Sequence, residues 1–186
     1  MVPTYESVDD ISLARLLQPI LAGLTGLPGT SVRPLWQQNP PPMPDHDTNW
    51  LAFGIEGRTA DANAYLQPGA ADARLYRHED INWLVSCYGP DALTNAGRIR
   101  DGLELSQNRA GLALSGMAFI AADDIVNLAE VVNGRFYSRA DLVLQMRREI
   151  LRGYAILPLD GAAVDILADD AESQPLEKQI TVENPE

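Results

Sequence analysis

Lysine is almost missing from this chain of 186 residues: Lys178 stands alone beside thirteen arginines. Acidic residues outnumber basic ones 26 to 14, for a net charge of −12. That balance argues against sequence-independent binding along a phosphate backbone, which needs a basic surface, although a local arginine-lined ring facing DNA stays compatible with it. Cysteine is equally scarce. Cys87 has no second cysteine to pair with, so no internal disulfide forms and the chain fits a reducing compartment. With one cysteine and two histidines, a zinc site would have to be completed by carboxylates. No stretch approaches the ~18 consecutive apolar residues of a membrane span. The opening MVPTYESVDD is acidic without an apolar run, so no signal peptide is expected. The Walker-type phosphate loop, the G-x-G-x-x-G fingerprint and the G-x-S-x-G elbow are absent too.

What is present is enough apolar material for a core, 46% of residues, in a length typical of one domain. The acid is unevenly spread: from Leu159 onward eight acidic residues face only Lys178. Residues 1–157 therefore read as the folded body, and residues 158–186 as an acidic extension, solvated or partly ordered.

Periodicity locates the elements. Ile11, Leu13, Leu16, Leu17, Ile20, Leu21 and Leu24 follow helical spacing, so residues 7–26 are expected to form an amphipathic helix. Ser7 with Asp10 offers a capping-box-like start, Pro19 is expected to kink or divide the helix, and Gly26 with Pro28-Gly29 ends it. SVRPLWQ, residues 31–37, reads as an edge strand, because Pro34 cannot donate to a ladder. The proline-rich NPPPMPDHD reads as an exposed loop carrying a solvated His46. Residues 49–61 read as a strand with Leu51, Phe53 and Ile55 inward, and NAYLQPGAADA, residues 63–73, as a wide loop or hairpin tip.

Residues 73–89 read as a long strand with Ile81, Trp83, Val85 and Cys87 on one face. Gly89-Pro90-Asp91 then breaks the strand and starts a helix whose packing stripe is Ala92, Ala96, Ile99 and Leu103. A second helix follows residue 106. Residues 117–138 read as a short strand, an acidic loop and a connection turning at Asn133-Gly134. RADLVLQMRREILRGYAIL, residues 139–157, alternates with period 2 over nine residues. That pattern favours a strand, with Leu142, Leu144, Met146, Arg148 and Ile150 on one face, over the helical alternative. Together these elements predict an α+β fold: an antiparallel or mixed β-sheet packed by two to three helices.

Cys87, His78 and Asp91 tempt a reading as a nucleophilic triad. His78 lies nine residues back along the same strand, roughly 30 Å if extended, and cannot reach Cys87. A cysteine on the face of Trp83 and Val85 behaves as a small hydrophobe. His46 between Asp45 and Asp47 is at most a weak metal cluster, and a solvated loop tip is the better reading. Gly-Leu-Pro-Gly is a turn, and Arg147-Arg148 is better suited to pairing with acids of the same chain or a neighbour than with phosphate. No catalytic, cofactor or metal residues are expected.

The succession of segments carries more than its physics. VRPLWQ with its proline-rich loop, NWLAFGI, LYRHEDINWLVSCYGPDALTNAGRIRDGL, SQNRAGLALSGMAFI and VNGRFYSRADLVLQMRREILR together resemble the tailed-phage neck and tail terminator family. The likeness is strongest in the block ending Ile99-Arg100-Asp101-Gly102-Leu103, at Gln107 to Arg109, and in RADLVLQMRREI. It spans about residues 8–157 and consists of structural residues.

The resemblance implies a non-enzymatic virion protein, assembled in the host bacterial cytoplasm and placed in the tail or neck. It implies a ring, usually six-fold, that caps the tail tube, stops its polymerisation and joins it to head-completion or connector proteins. DNA would pass through without sequence-specific binding; an acidic lumen would keep it from sticking. The alternative within the same setting is another neck component, a head-completion or tail-tube protein. An enzyme such as a cysteine hydrolase is the reading from a different class. If the ring reading holds, arginines on exposed faces are the expected contacts: Arg98, Arg100, Arg135, Arg139, Arg147 and Arg148.

Overall fold

The computed structural model describes residues 5–6, 10–69, 72–114, 116–132, 134–155, 163–166 and 178–181. Two strands dominate it: β5, Asp72–Tyr88, and β8, Arg135–Ala155. They run antiparallel, and all seventeen residues of β5 find partners in β8, from Asp72 opposite Ala155 to Tyr88 opposite Arg139. Alternation through the middle of both strands makes this ribbon the backbone of the sheet: Ile81, Trp83, Val85 and Cys87 sit directly across from Met146, Leu144, Leu142 and Ala140, and all eight are buried. The strand reading of residues 139–157 is therefore the correct one.

Shorter strands tile the ribbon's two outer edges. Along β5 lie β3, Trp50–Ala60, and β4, Tyr65–Pro68, both antiparallel to it. Along β8 lie β7, Val126–Val132, β6, Met117–Ala122, and the short β1, Tyr5–Glu6, again antiparallel. The three-residue β2, Val32–Pro34, adds to the far edge of β3 and is parallel to it, which makes the eight-stranded sheet mixed. Pro34 does lie on an edge strand, as its missing N–H requires.

Helices cover one face. In α1, Asp10–Thr25, Leu13, Leu17 and Leu21 form a buried i, i+4 stripe; burying each contributes on the order of 1.5–3 kcal/mol. Ile11, expected on that stripe, is exposed instead. Pro19 does not divide the helix, which runs unbroken through it. Pro19 is on the exposed side, where water can bond the carbonyl that it leaves without a donor. The expected cap at Ser7 lies outside the described residues. α2, Ala92–Leu103, packs across β5 and β8 through Ala92, Ala96, Ile99 and Leu103, the predicted stripe, all fully buried. α3, Ser106–Ala113, contributes Leu112 and packs on β6 and the other helices. Among the described residues no helix is long and apolar enough to cross a membrane.

Two expected irregular segments are strands. Residues 63–73 include β4, and the connection before residue 133 is β7. Both are edge strands, β4 being exposed throughout and β7 having Val126, Leu128 and Val131 in solvent, so neither carries the one-sided apolar alternation that marks a strand in sequence. In the acidic C-terminal segment, Ala163–Ile166 (β9) and Lys178–Thr181 (β10) pair antiparallel in a sheet of their own. The boundary expected at residue 157 falls outside the described residues.

Candidate functional site

The corner between β5 and α2 shows what became of the apparent triad. Gly89 has φ +99°, and a Cβ there would lie 2.5 Å from the Thr48 carbonyl oxygen, so the corner needs glycine. Asp91 does not cap the helix with its side chain. Its carboxylate accepts a bond from Asn49 Nδ2 at 2.8 Å, and its own backbone N–H donates to Asn49 Oδ1 at 2.9 Å. The pair ties the strand–helix corner to the entry of β3. Cys87 is fully buried between Leu51 and Ala140 on the neighbouring strands. Burial, with the nearby Asp141 charge adding to it, pushes its thiol up to about 12, so no thiolate forms near neutrality. His78 is exposed and faces Glu149 at 3.9 Å. His46 packs edge-on against Tyr137, with ring centroids 6.2 Å apart. Among the described residues no group of three or more His, Cys, Asp or Glu is placed to hold a metal.

The six arginines divide into two sets. Arg148 lies on the core face of β8, where its place in the alternation put it, and is only 6% exposed. Its Nε donates to Glu79 Oε1 at 2.6 Å. It is not on an exposed face, which corrects that part of the expectation. Arg139 grips Asp141 through two bonds of 2.8 Å and also bonds Glu130 of β7. Its guanidinium lies over the Tyr88 ring, which stacks on Trp50 at 4.1 Å, and Arg33 lies over the Trp50 ring. The bonds to Asp141, chiefly, hold the Arg139 guanidinium charged beyond its ordinary range. Arg147, on the opposite face of β8 from Arg148, bridges Asp80 at 2.7 Å and Asp61. Bonding to Asp80 raises its pKa most. These three arginines organise their own chain.

The other three reach outward. Among the described residues Arg98 makes only long contacts, to the Thr25 carbonyl and Asn95 Oδ1, and Arg100 pairs with its neighbour Asp101. Arg135, at the β7–β8 hairpin, is 62% exposed and 3.9 Å from Asp45.

Apolar surface was the signal that charge counting overlooked. At the hairpin, Val131 and Phe136 face each other across β7 and β8 and are 71% and 63% exposed. On the opposite edge of the sheet, a groove of about 710 Å³ runs between α1 and the segment after β2, with Ile11, Ala14, Leu35, Trp36, Phe53 and Ile55 among its lining. Trp36 has φ +55°, rare for a residue with a side chain, and there the chain turns off the β3 edge. Its ring lies over Gly54, where a Cβ would come within 2.6 Å of it. VRPLWQ showed the strand but not this turn.

Compared with known families, residues 12–172 match the family model of the phage neck terminator protein. The match runs past residue 157 into the acidic segment. No curated protein matches the chain.

Proposed function

The chain belongs to the phage neck terminator family, a structural family of the phage neck, and from that premise we propose that it forms a homo-oligomeric ring, six-fold, that caps the tail tube. The ring ends tube polymerisation and presents the joint for head-completion or connector proteins. The chain is assembled in the host cytoplasm, stays in the virion neck, and has no catalytic role. Membership of the family carries this reading.

The distribution of charge supports it. A cap through which DNA passes without being held needs a surface poor in free cations. Here Arg139, Arg147 and Arg148 are bonded to carboxylates of their own chain, and the net charge is −12. Arg98, Arg100 and Arg135 remain available for contacts between subunits or with neck partners, and we assign them that role. Residues 158–186 act as an acidic extension of the body.

Mass photometry of the purified protein, alone and with tube protein, tests the ring. A single closed species of several subunits is expected. A strict monomer in both conditions contradicts it, and long tubes built by this protein alone would identify a tube protein instead.

A further inference from the structure

We infer that the groove between α1 and the β2–β3 edge receives an extended segment of a partner protein, one that carries a carboxylate two residues from an apolar side chain. The segment lies along β3 beyond Phe53, where this chain leaves that edge open. β2 pairs with β3 only as far as Phe53, whose carbonyl accepts from Leu35 N–H at 2.7 Å. At Trp36 the backbone turns away, and from Gly54 to Ala60 the described residues pair β3 with β5 alone. An unpaired strand edge beside an apolar hollow is a template for another chain. The contact goes beyond the ring proposed above and does not depend on how copies meet.

The spacing of the lining fits a strand. Gly54 and Ile55, the first residues of the open edge, line the groove from one side, and Ile11 and Arg15 line it from α1. Ile11 and Arg15 are one helical turn apart, so their side chains stand about 6 Å from each other. Alternate side chains of a strand, which face the same way, are about 7 Å apart. An apolar side chain set against Ile11 therefore brings a carboxylate two residues along it to Arg15. The hollow of about 710 Å³ is within the range of ~300–1,000 Å³ usual for binding sites. Ile11 and Trp36, both exposed, give it an apolar rim of the kind that marks a contact surface.

Charge selects the occupant. Asp10, also in the lining, is bonded to Arg58, and Gln18 donates to the carbonyls of Gly29 and Val32. Arg15 is exposed, and among the described residues no carboxylate bridges it. The groove thus offers a cation without an anion, which suits an acidic partner. Trp83 lines the groove as well, is 1% exposed, and its indole N–H has no acceptor among the described residues. Buried donors are nearly always bonded in folded proteins, and the backbone of an added segment brings carbonyl acceptors. The exposed Phe136 of this chain has Arg135 beside it, the wrong sign for Arg15, so a second copy's hairpin does not match.

Peptide binding to the full chain, read by fluorescence anisotropy, tests this. The probe is a synthetic peptide in which valine and aspartate take turns at every second position, with threonine between them and an uncharged dye at one end. Saturable binding is expected, at least about tenfold tighter than for the same peptide with lysine in place of aspartate. Arg15→Glu is expected to reverse that order, Ile11→Asp to weaken binding of the acidic peptide, and Phe136→Asp, away from the groove, to leave it unchanged. All three positions are exposed, and an unchanged melting temperature shows that each variant folds. No binding, equal binding of the two peptides, or an unchanged preference in Arg15→Glu overturns the assignment. Binding of the acidic peptide only after an assembled protein is dispersed by dilution gives the groove to a second copy instead. Oligomeric state is not what the anisotropy reads, so failure here leaves the ring proposal standing.

Discussion

Glu79 and Arg148 face each other across β5 and β8, both 6% exposed, with Arg148 Nε 2.6 Å from Glu79 Oε1. They occupy the row next to Ile81 and Met146, so a buried charged pair interrupts the apolar face of the ribbon, with Ile150 buried beyond it. Arg58 stands 4.0 Å from Glu79 and bonds Asp10 at the start of α1, which links the pair to the helix layer. Burying one charge without its partner is far more costly than burying neither. Glu79→Ala is expected to lose about 3–5 kcal/mol in urea denaturation, and Glu79→Leu with Arg148→Met to restore most of it. A single-variant loss under about 1 kcal/mol would contradict the pairing.

Arg147 is the neighbour of Arg148 with the opposite fate. It lies on the outer face of β8, and its bonds to Asp80 and Asp61 are solvent-screened. Arg147→Ala should change stability by less than about 1 kcal/mol. A loss comparable to that of Glu79→Ala would show that the outer face is as closed as the core.

Cys87 makes a pH prediction. Its folded thiol titrates near 12, against an ordinary value of 9.0. Below pH 9 both folded and unfolded chains keep the proton, and its contribution is fully present. Above pH 9 the unfolded chain loses the proton first, so it binds fewer protons than the folded one and stability falls as pH rises toward 12. Cys87→Ala should show a shallower decline across pH 9–11 than the wild type, which isolates the thiol from the tyrosines. The native thiol should also resist a disulfide reagent at pH 8 and react on unfolding; rapid native labelling would refute its burial.

Gly89→Ala tests the strand–helix corner. A side chain there meets both a left-handed φ of +99° and the Thr48 carbonyl. A loss of at least about 1 kcal/mol is expected, read as a lower denaturation midpoint. Unchanged stability would mean that the corner relaxes freely.

The interior was legible in the sequence because alternation and helical spacing report a one-sided core. Trp83, Val85 and Cys87 on β5, and Ala92, Ala96, Ile99 and Leu103 on α2, were readable from spacing alone. Edge strands were not: β4 and β7 border the sheet with largely exposed side chains, so their residues carry no one-sided pattern. Charge in sequence also does not say whether a cation is spent within its own chain. Arg147 and Arg148 are adjacent, and only their faces on β8 separate an outer bridge from a buried pair. The groove went unseen because it depends on Trp36 turning the chain away from β3.

The most direct test of the proposed role is an image of the virion neck at a resolution that traces this chain. A closed ring of copies, one layer deep, sitting where the tail tube ends and the head-completion proteins begin, is the predicted result. Copies repeated along the length of the tube, or a neck from which the chain is absent, would contradict it.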